Sequence, residues 1–167
     1  ARQKLSLEQL EKGFYETDGP DLSGDLIVIN AKFWESGESF LVKDVRGNQY
    51  VLRFDPYANS ELVTSSEVIG SRFYYALGYS VPQYSIITLE PQKLVVGPSA
   101  TMLDNSGFHK KLTSEKIQER FLFFSTDAEG RYRASAQKVL MGEELGSFRF
   151  YGRKRSDPEN RINHEDR

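Results

Sequence analysis

Arg53 and Glu67 are the two side chains in this sequence whose types and spacing offer the clearest chemistry together. They stand 14 positions apart, the first at the end of a strand-like run, the second in the middle of a helix-like run. A cation on a strand and a carboxylate on the following helix can meet where the helix packs on the sheet. Held together there, they can orient the phosphates of a nucleotide. The ordinary alternative is a partly exposed salt bridge with no ligand at all. Gly37 is the one glycine of the loop WESGES, residues 34–39, which in a nucleotide site would lie over the phosphates. That loop has no glycine-rich repeat and equally suits a plain hairpin connection.

The elements that must position these residues can be read from residues 40–78. Phe40 and Val42, then Tyr50, Leu52 and Phe54, recur at every second position, the period of a half-buried strand. VRGN joins the two runs as a hairpin, with Gly47 and Asn48 suited to positive φ. After Asp55-Pro56, Asn59 or Ser60 is expected to cap a helix with Leu62, Ile69, Phe73 and Leu77 on its buried side, stopped by Gly78. The order is strand, turn, strand, helix.

Upstream, Ser6 and Gln9 have capping-box spacing for a short helix that carries Leu7 and Leu10 and ends at Gly13. Phe14 and Tyr15 would anchor the loop after it. DLIVINAKF, residues 25–33, reads as a strand with Leu26, Val28 and Ala31 or Phe33 turned to the core. Downstream, Ile86, Ile87 and Leu89 mark a strand, and KLVV, residues 93–96, a short one that Gly97-Pro98 breaks and that could pair with it. Asn105-Ser106-Gly107 reads as a turn before a solvated edge at His109, Lys110 and Lys111. Thr113 or Ser114 caps a helix with Ile117, Phe121 and Phe124 at helical spacing, and Tyr132–Lys138 alternates as a last strand. Arg153, Lys154 and Arg155 sit in a charged loop.

Composition narrows the classes. The 167 residues allow one domain with a proper core. With 22 basic and 24 acidic residues there is no field to steer nucleic acid, so no nucleic-acid partner is expected. No apolar run reaches the roughly 20 residues of a spanning helix, so no transmembrane segment is expected. Cysteine is absent, which excludes disulfides and thiolate chemistry, and the two histidines, His109 and His164, stand in no metal-binding or triad spacing. The chain opens on Ala1 and closes on NRINHEDR, so both ends read as cut. The expected plan is α+β: an antiparallel sheet with a packed helix in residues 24–152, an N-terminal arm over 1–23 and a charged C-terminal tail over 153–167.

The blocks FLVKDVRGNQYVLRFDP, SSEVIGSRFYYALGYSVP, KLVVGP, GRYRASAQKVL and FYGRKRSDPENRINHEDR resemble, in order and spacing, a family of uncharacterised bacterial proteins whose overall plan is similar to atypical kinases. The resemblance implies a fold like the small lobe of a protein kinase, with the family's sheet lysine replaced by Arg53 and its helix glutamate at Glu67. Arginine keeps the charge but is a planar fork, so the exchange is not conservative at a phosphate. It further implies a helical half, after the HEDR block, that would supply the catalytic and magnesium-binding acids. Export or lipid anchoring, hence a periplasmic or extracellular place, is implied by the resemblance alone.

Two readings follow. In the first, the chain is a non-catalytic interaction module or accessory subunit of pseudokinase type, with no cofactor and with a protein partner, such as a membrane-associated complex. In the second it is the small lobe of a kinase-like phosphotransferase or nucleotide-binding protein, taking ATP and Mg, with Arg53, Glu67 and Gly37 at the phosphates. A weaker third reading, carbohydrate binding by exposed Trp34, Tyr57 and Tyr79, rests on aromatic content.

Overall fold

In a computed structural model, residues 5–13, 19–34, 37–104 and 106–142 are described. In chain order they form α1 (Leu7–Lys12), β1 (Leu26–Trp34), β2 (Gly37–Lys43), β3 (Gln49–Phe54), α2 (Leu62–Ala76) and β4 (Tyr84–Leu89). A 3-10 turn at Pro91–Lys93, β5 (Leu94–Leu103), β6 (His109–Lys111), α3 (Ser114–Phe121) and β7 (Tyr132–Lys138) follow. The fold is α+β, built on one open seven-stranded sheet in the order β4-β7-β3-β2-β1-β5-β6. All neighbours are antiparallel except β1 and β5.

Alternation builds one face of this sheet. Phe40 and Val42 of β2, Tyr50, Leu52 and Phe54 of β3, and Ala134 and Ala136 of β7 are all buried on it. On β1 the register shifts between Val28 and Asn30, and this bulge lets Leu26 and Val28, then Ala31 and Phe33, all turn inward. The helix α3 closes this core face. Its Thr113 cap accepts the Lys116 amide, Ile117 and Phe121 are buried, and the rings of Phe121 and Phe124 lie 5.1 and 5.0 Å from that of Phe54.

α2 lies over the other face, across β3, β7 and β4. This corrects the expected helix orientation. Leu62, Ile69, Phe73 and Leu77 are exposed, Phe73 by 68%, and the buried positions are Thr64 and Val68. The reason lies beneath the helix, where β3 and β7 present Arg53, Arg133, Ser135 and Gln137, so α2 turns its polar side inward to meet them. The expected cap is also corrected. The N-cap residue is Glu61, in left-handed conformation with no side-chain bond, and neither Asn59 nor Ser60 supplies one. The Asp55 carboxylate does so instead, accepting the Thr64 amide and hydroxyl. The end is as expected: Gly78 has φ +89°, and the amides of Gly78 and Tyr79 donate to the carbonyls of Tyr75 and Tyr74.

Three further expectations change. The β2–β3 connection is the five-residue loop Asp44–Asn48, in which Gly47 alone takes positive φ. The Asp44 carboxylate accepts the amides of Arg46 and Asn48. Gly97-Pro98 does not end its strand. β5 runs on past it, and a Cβ on Gly97 would lie 2.8 Å from the Val28 carbonyl oxygen, an approach only glycine allows. Nor does β5 pair with β4. It runs parallel to β1, while β4 pairs with β7. The expected capping box is present, with Ser6 and Gln9 bonded reciprocally. Phe14, Tyr15, Arg153, Lys154, Arg155 and His164, and the side chain of Trp34, lie outside the described residues.

Candidate functional site

Because Tyr50, Leu52 and Phe54 face the core, Val51 and Arg53 must face the opposite way, toward α2. Glu67, one turn after Thr64 on the inward side of α2, meets Arg53 there: Arg53 Nη1 lies 3.0 Å from Glu67 Oε1. Arg53 Nη1 also donates to Gln137 Oε1 at 3.2 Å, and the Ser135 hydroxyl donates to Glu67 Oε2. Both carboxylate oxygens are therefore engaged, and the pair is fixed between β3, β7 and α2. It stays partly open, with side-chain exposures of 33% for Arg53 and 20% for Glu67. Tyr84 of β4 stands beside it. Burial, and then the negative charge of Glu67, push its hydroxyl above the ordinary tyrosine range against a smaller opposing effect of Arg53.

A cleft of about 930 Å³ opens beside the pair. β2 pairs with β3 only from Phe40–Leu52 to Lys43–Gln49. Ahead of Phe40 the two strands are no longer paired, and Glu38, Ser39, Arg53 and Phe54 all line the cleft there. Its apolar floor includes Leu41 and Val51, which are cross-strand partners. Lys32, Arg53 and Arg120 bring cations to it, Glu38 and Glu67 carboxylates.

No family model, curated protein or solved structure matches this chain. The reading of the cleft therefore rests on its own groups. At the rim, Arg120 Nη1 donates to Glu38 Oε1 at 3.0 Å, with the guanidinium 4.9 Å from the centre of the Phe33 ring. The other oxygen, Glu38 Oε2, is buried and has no hydrogen-bond partner. Burial raises the Glu38 carboxyl above the usual range, and Arg120 only partly offsets this.

Of the three residues named from the sequence, Arg53 and Glu67 are brought together, and Gly37 opens β2 opposite Trp34, one residue before Glu38. Tyr57 and Tyr79 are exposed and no cleft residue. Sequence reasoning missed Leu41, Val51, Glu38 and Arg120. The first two left a signal: they are apolar residues at the outward-facing positions of alternating strands, where a solvated face would carry polar ones. Glu38 and Arg120 are 82 positions apart and left none. Among the described residues no three His, Asp or Glu side chains stand together to hold a metal, and no helix is long and apolar enough to cross a membrane.

Proposed function

We propose that this chain is a nucleotide-binding small lobe of kinase-like plan, whose cleft takes a nucleoside polyphosphate. The observation that carries the reading is the fixed Arg53–Glu67 pair at the end of the Leu41–Val51 floor. Pockets for such ligands join an apolar surface for a flat ring to a few placed polar groups. Here the floor would carry the base and the Arg53 guanidinium, held by Glu67 and Gln137, would meet phosphate oxygens through its outward N–H groups. A cation on the third strand and a carboxylate on the helix after it is also the arrangement by which protein kinases hold the phosphates of ATP. Magnesium would supply charge neutralisation at those phosphates.

The test is a thermal melt of the chain with and without ADP. At 100 times its Kd the nucleotide should stabilise by about 2.7 kcal/mol, and Arg53→Ala should remove that shift. A midpoint that ADP leaves untouched at millimolar concentration sinks the reading.

A second reading, a non-catalytic interaction module or accessory subunit, is favoured by the outer side of α2. Leu62, Ile69 and Phe73, followed by Leu77, make an apolar stripe at helix-packing spacing, all of it exposed. Such a stripe suits a protein partner. Phe73→Glu would break that association and leave ADP binding intact, which separates the two readings.

A further inference from the structure

We infer that Lys32, Ser39 and Arg53 form one phosphate-binding row across three strands, so that the site takes a nucleoside diphosphate or triphosphate in preference to the monophosphate. The inference rests on the nucleotide reading of the cleft and adds to it the residues that hold the phosphates beyond the first. The row follows from register. Ser39 of β2 is the cross-strand partner of Lys32 of β1, and Ser39 and Arg53 stand one step past Phe40–Leu52, the last pair of β2 with β3. Phe33, Phe40, Leu52 and Phe54 face the core, so their neighbours Lys32, Ser39 and Arg53 face the other way, on the side of Leu41 and Val51. All three line the cleft.

The chemistry of the row suits successive phosphates. Arg53 Nη1 is engaged by both Glu67 and Gln137, which leaves Nε and Nη2 of the guanidinium for an anion. Lys32 is exposed and brings a second cation, two strands from the first, with the Ser39 hydroxyl between them. A phosphate on Arg53 therefore leaves Lys32 for the next one. Between Ser39 and Arg53 the ladder has stopped, so that space belongs to the cleft. A lysine ammonium meets phosphate as a point charge, and a serine hydroxyl can donate to the same oxygens. The row lies two residues, or about 7 Å, along the strands from the Leu41–Val51 floor, where phosphates leaving a base on that floor would meet it. The charge of the cleft has the right sign. Lys32, Arg53 and Arg120 stand against Glu38 and Glu67, and Arg120 and Glu38 pair with each other.

Calorimetric titration of the full chain with ADP and with AMP, both in buffer containing magnesium chloride, tests this. The unaltered chain should bind ADP at least about tenfold tighter than AMP, as one added charge-assisted hydrogen bond would give. Lys32→Gln should lower that ratio about tenfold by weakening ADP alone, and Lys32→Arg, which restores the charge, should recover most of it. Ser39→Ala should weaken ADP by about two- to tenfold and AMP less. Arg53→Ala should weaken both nucleotides. If Lys32→Gln fails to fold, Ser39→Ala carries the same comparison of ADP with AMP. An unchanged ratio in a folded variant overturns the row and leaves the nucleotide reading standing. Failure of ADP to bind the unaltered chain overturns both.

Discussion

Asp55 at the end of β3 grips Thr64 in the first turn of α2 by two bonds: Oδ1 accepts its amide at 2.9 Å and Oδ2 its hydroxyl at 2.7 Å. Arg133 of β7 closes the group, 3.6 Å from Asp55 and bonded to the Thr64 hydroxyl. The strand that carries Arg53 is thereby tied to the helix that carries Glu67. Loss of a cap costs about 0.5–2 kcal/mol, and Asp55→Ala also strips Arg133 of its counter-charge. The variant should lose at least the upper end of that range in urea unfolding. Asn59→Ala and Ser60→Ala should stay within about 0.5 kcal/mol, as surface changes do. Equal losses at all three positions would return the cap to the loop.

Phe73→Ala should likewise be near neutral, within about 0.5 kcal/mol, because the ring is 68% exposed. Phe121→Ala should cost about 3–5 kcal/mol, since that ring is buried against Phe40, Phe54 and Tyr132. Midpoints from chemical denaturation separate the two. A large loss at Phe73 would mean that the outer side of α2 is covered.

That contrast marks how far the residues alone could be read. The alternation through Phe40–Phe54, the two long helices and the strand at Tyr132–Lys138 follow from periodicity, as does the α3 face. The orientation of α2 does not. A stripe of apolar residues shows that a helix has two sides, but which side meets the sheet depends on what the sheet presents. Here Arg53 of the preceding strand and Ser135 of a distant one present the groups that Glu67 meets. The meeting of Arg53 with Glu67 was legible because both lie in one strand–helix unit. Glu38 with Arg120, and β5 with β1, join segments far apart in sequence with no local mark.

The Arg53–Glu67 pair should be unequal when its members are removed. Glu67→Ala leaves the fully buried Ser135 hydroxyl without its acceptor and Arg53 without its counter-charge, though still bonded to Gln137, and a stranded buried polar group costs about 1–3 kcal/mol. Arg53→Ala leaves Glu67 still bonded to Ser135 and partly solvated, so its loss should stay near the 0.2–1 kcal/mol of an exposed pair. Ser135→Ala combined with Glu67→Ala should recover part of the difference. A Glu67→Ala loss no greater than that of Arg53→Ala would show that the Ser135 bond contributes nothing.

Acid stability turns on a repeated loop. Asp44, Asp104 and Asp127 each open a loop of the form Asp-x-x-Gly, and each carboxylate accepts amides two and four residues on. Burial raises the Asp44 carboxyl, but the amides of Asp21, Asn48 and Arg46 together outweigh it and the net direction is down. For Asp104 the Lys110 ammonium, then the Phe108 amide, act in the same direction, and for Asp127 the Arg131 amide leads. A carboxyl lowered on folding contributes stability that is fully present above its unfolded value near 3.8 and is lost as pH falls through the lower, folded one. Glu38 has the opposite sign. Its raised carboxyl favours the fold below the unfolded value near 4.5, and that contribution is lost as pH rises through the folded one. Urea midpoints followed from pH 7 to pH 2 should therefore fall less steeply below pH 4 in Asp44→Asn than in the unaltered chain. Glu38→Gln should remove a decline that sets in as pH rises above about 4.5. Parallel curves for Asp44→Asn and the unaltered chain would show that the amide bonds to Asp44 do not distinguish its two protonation states.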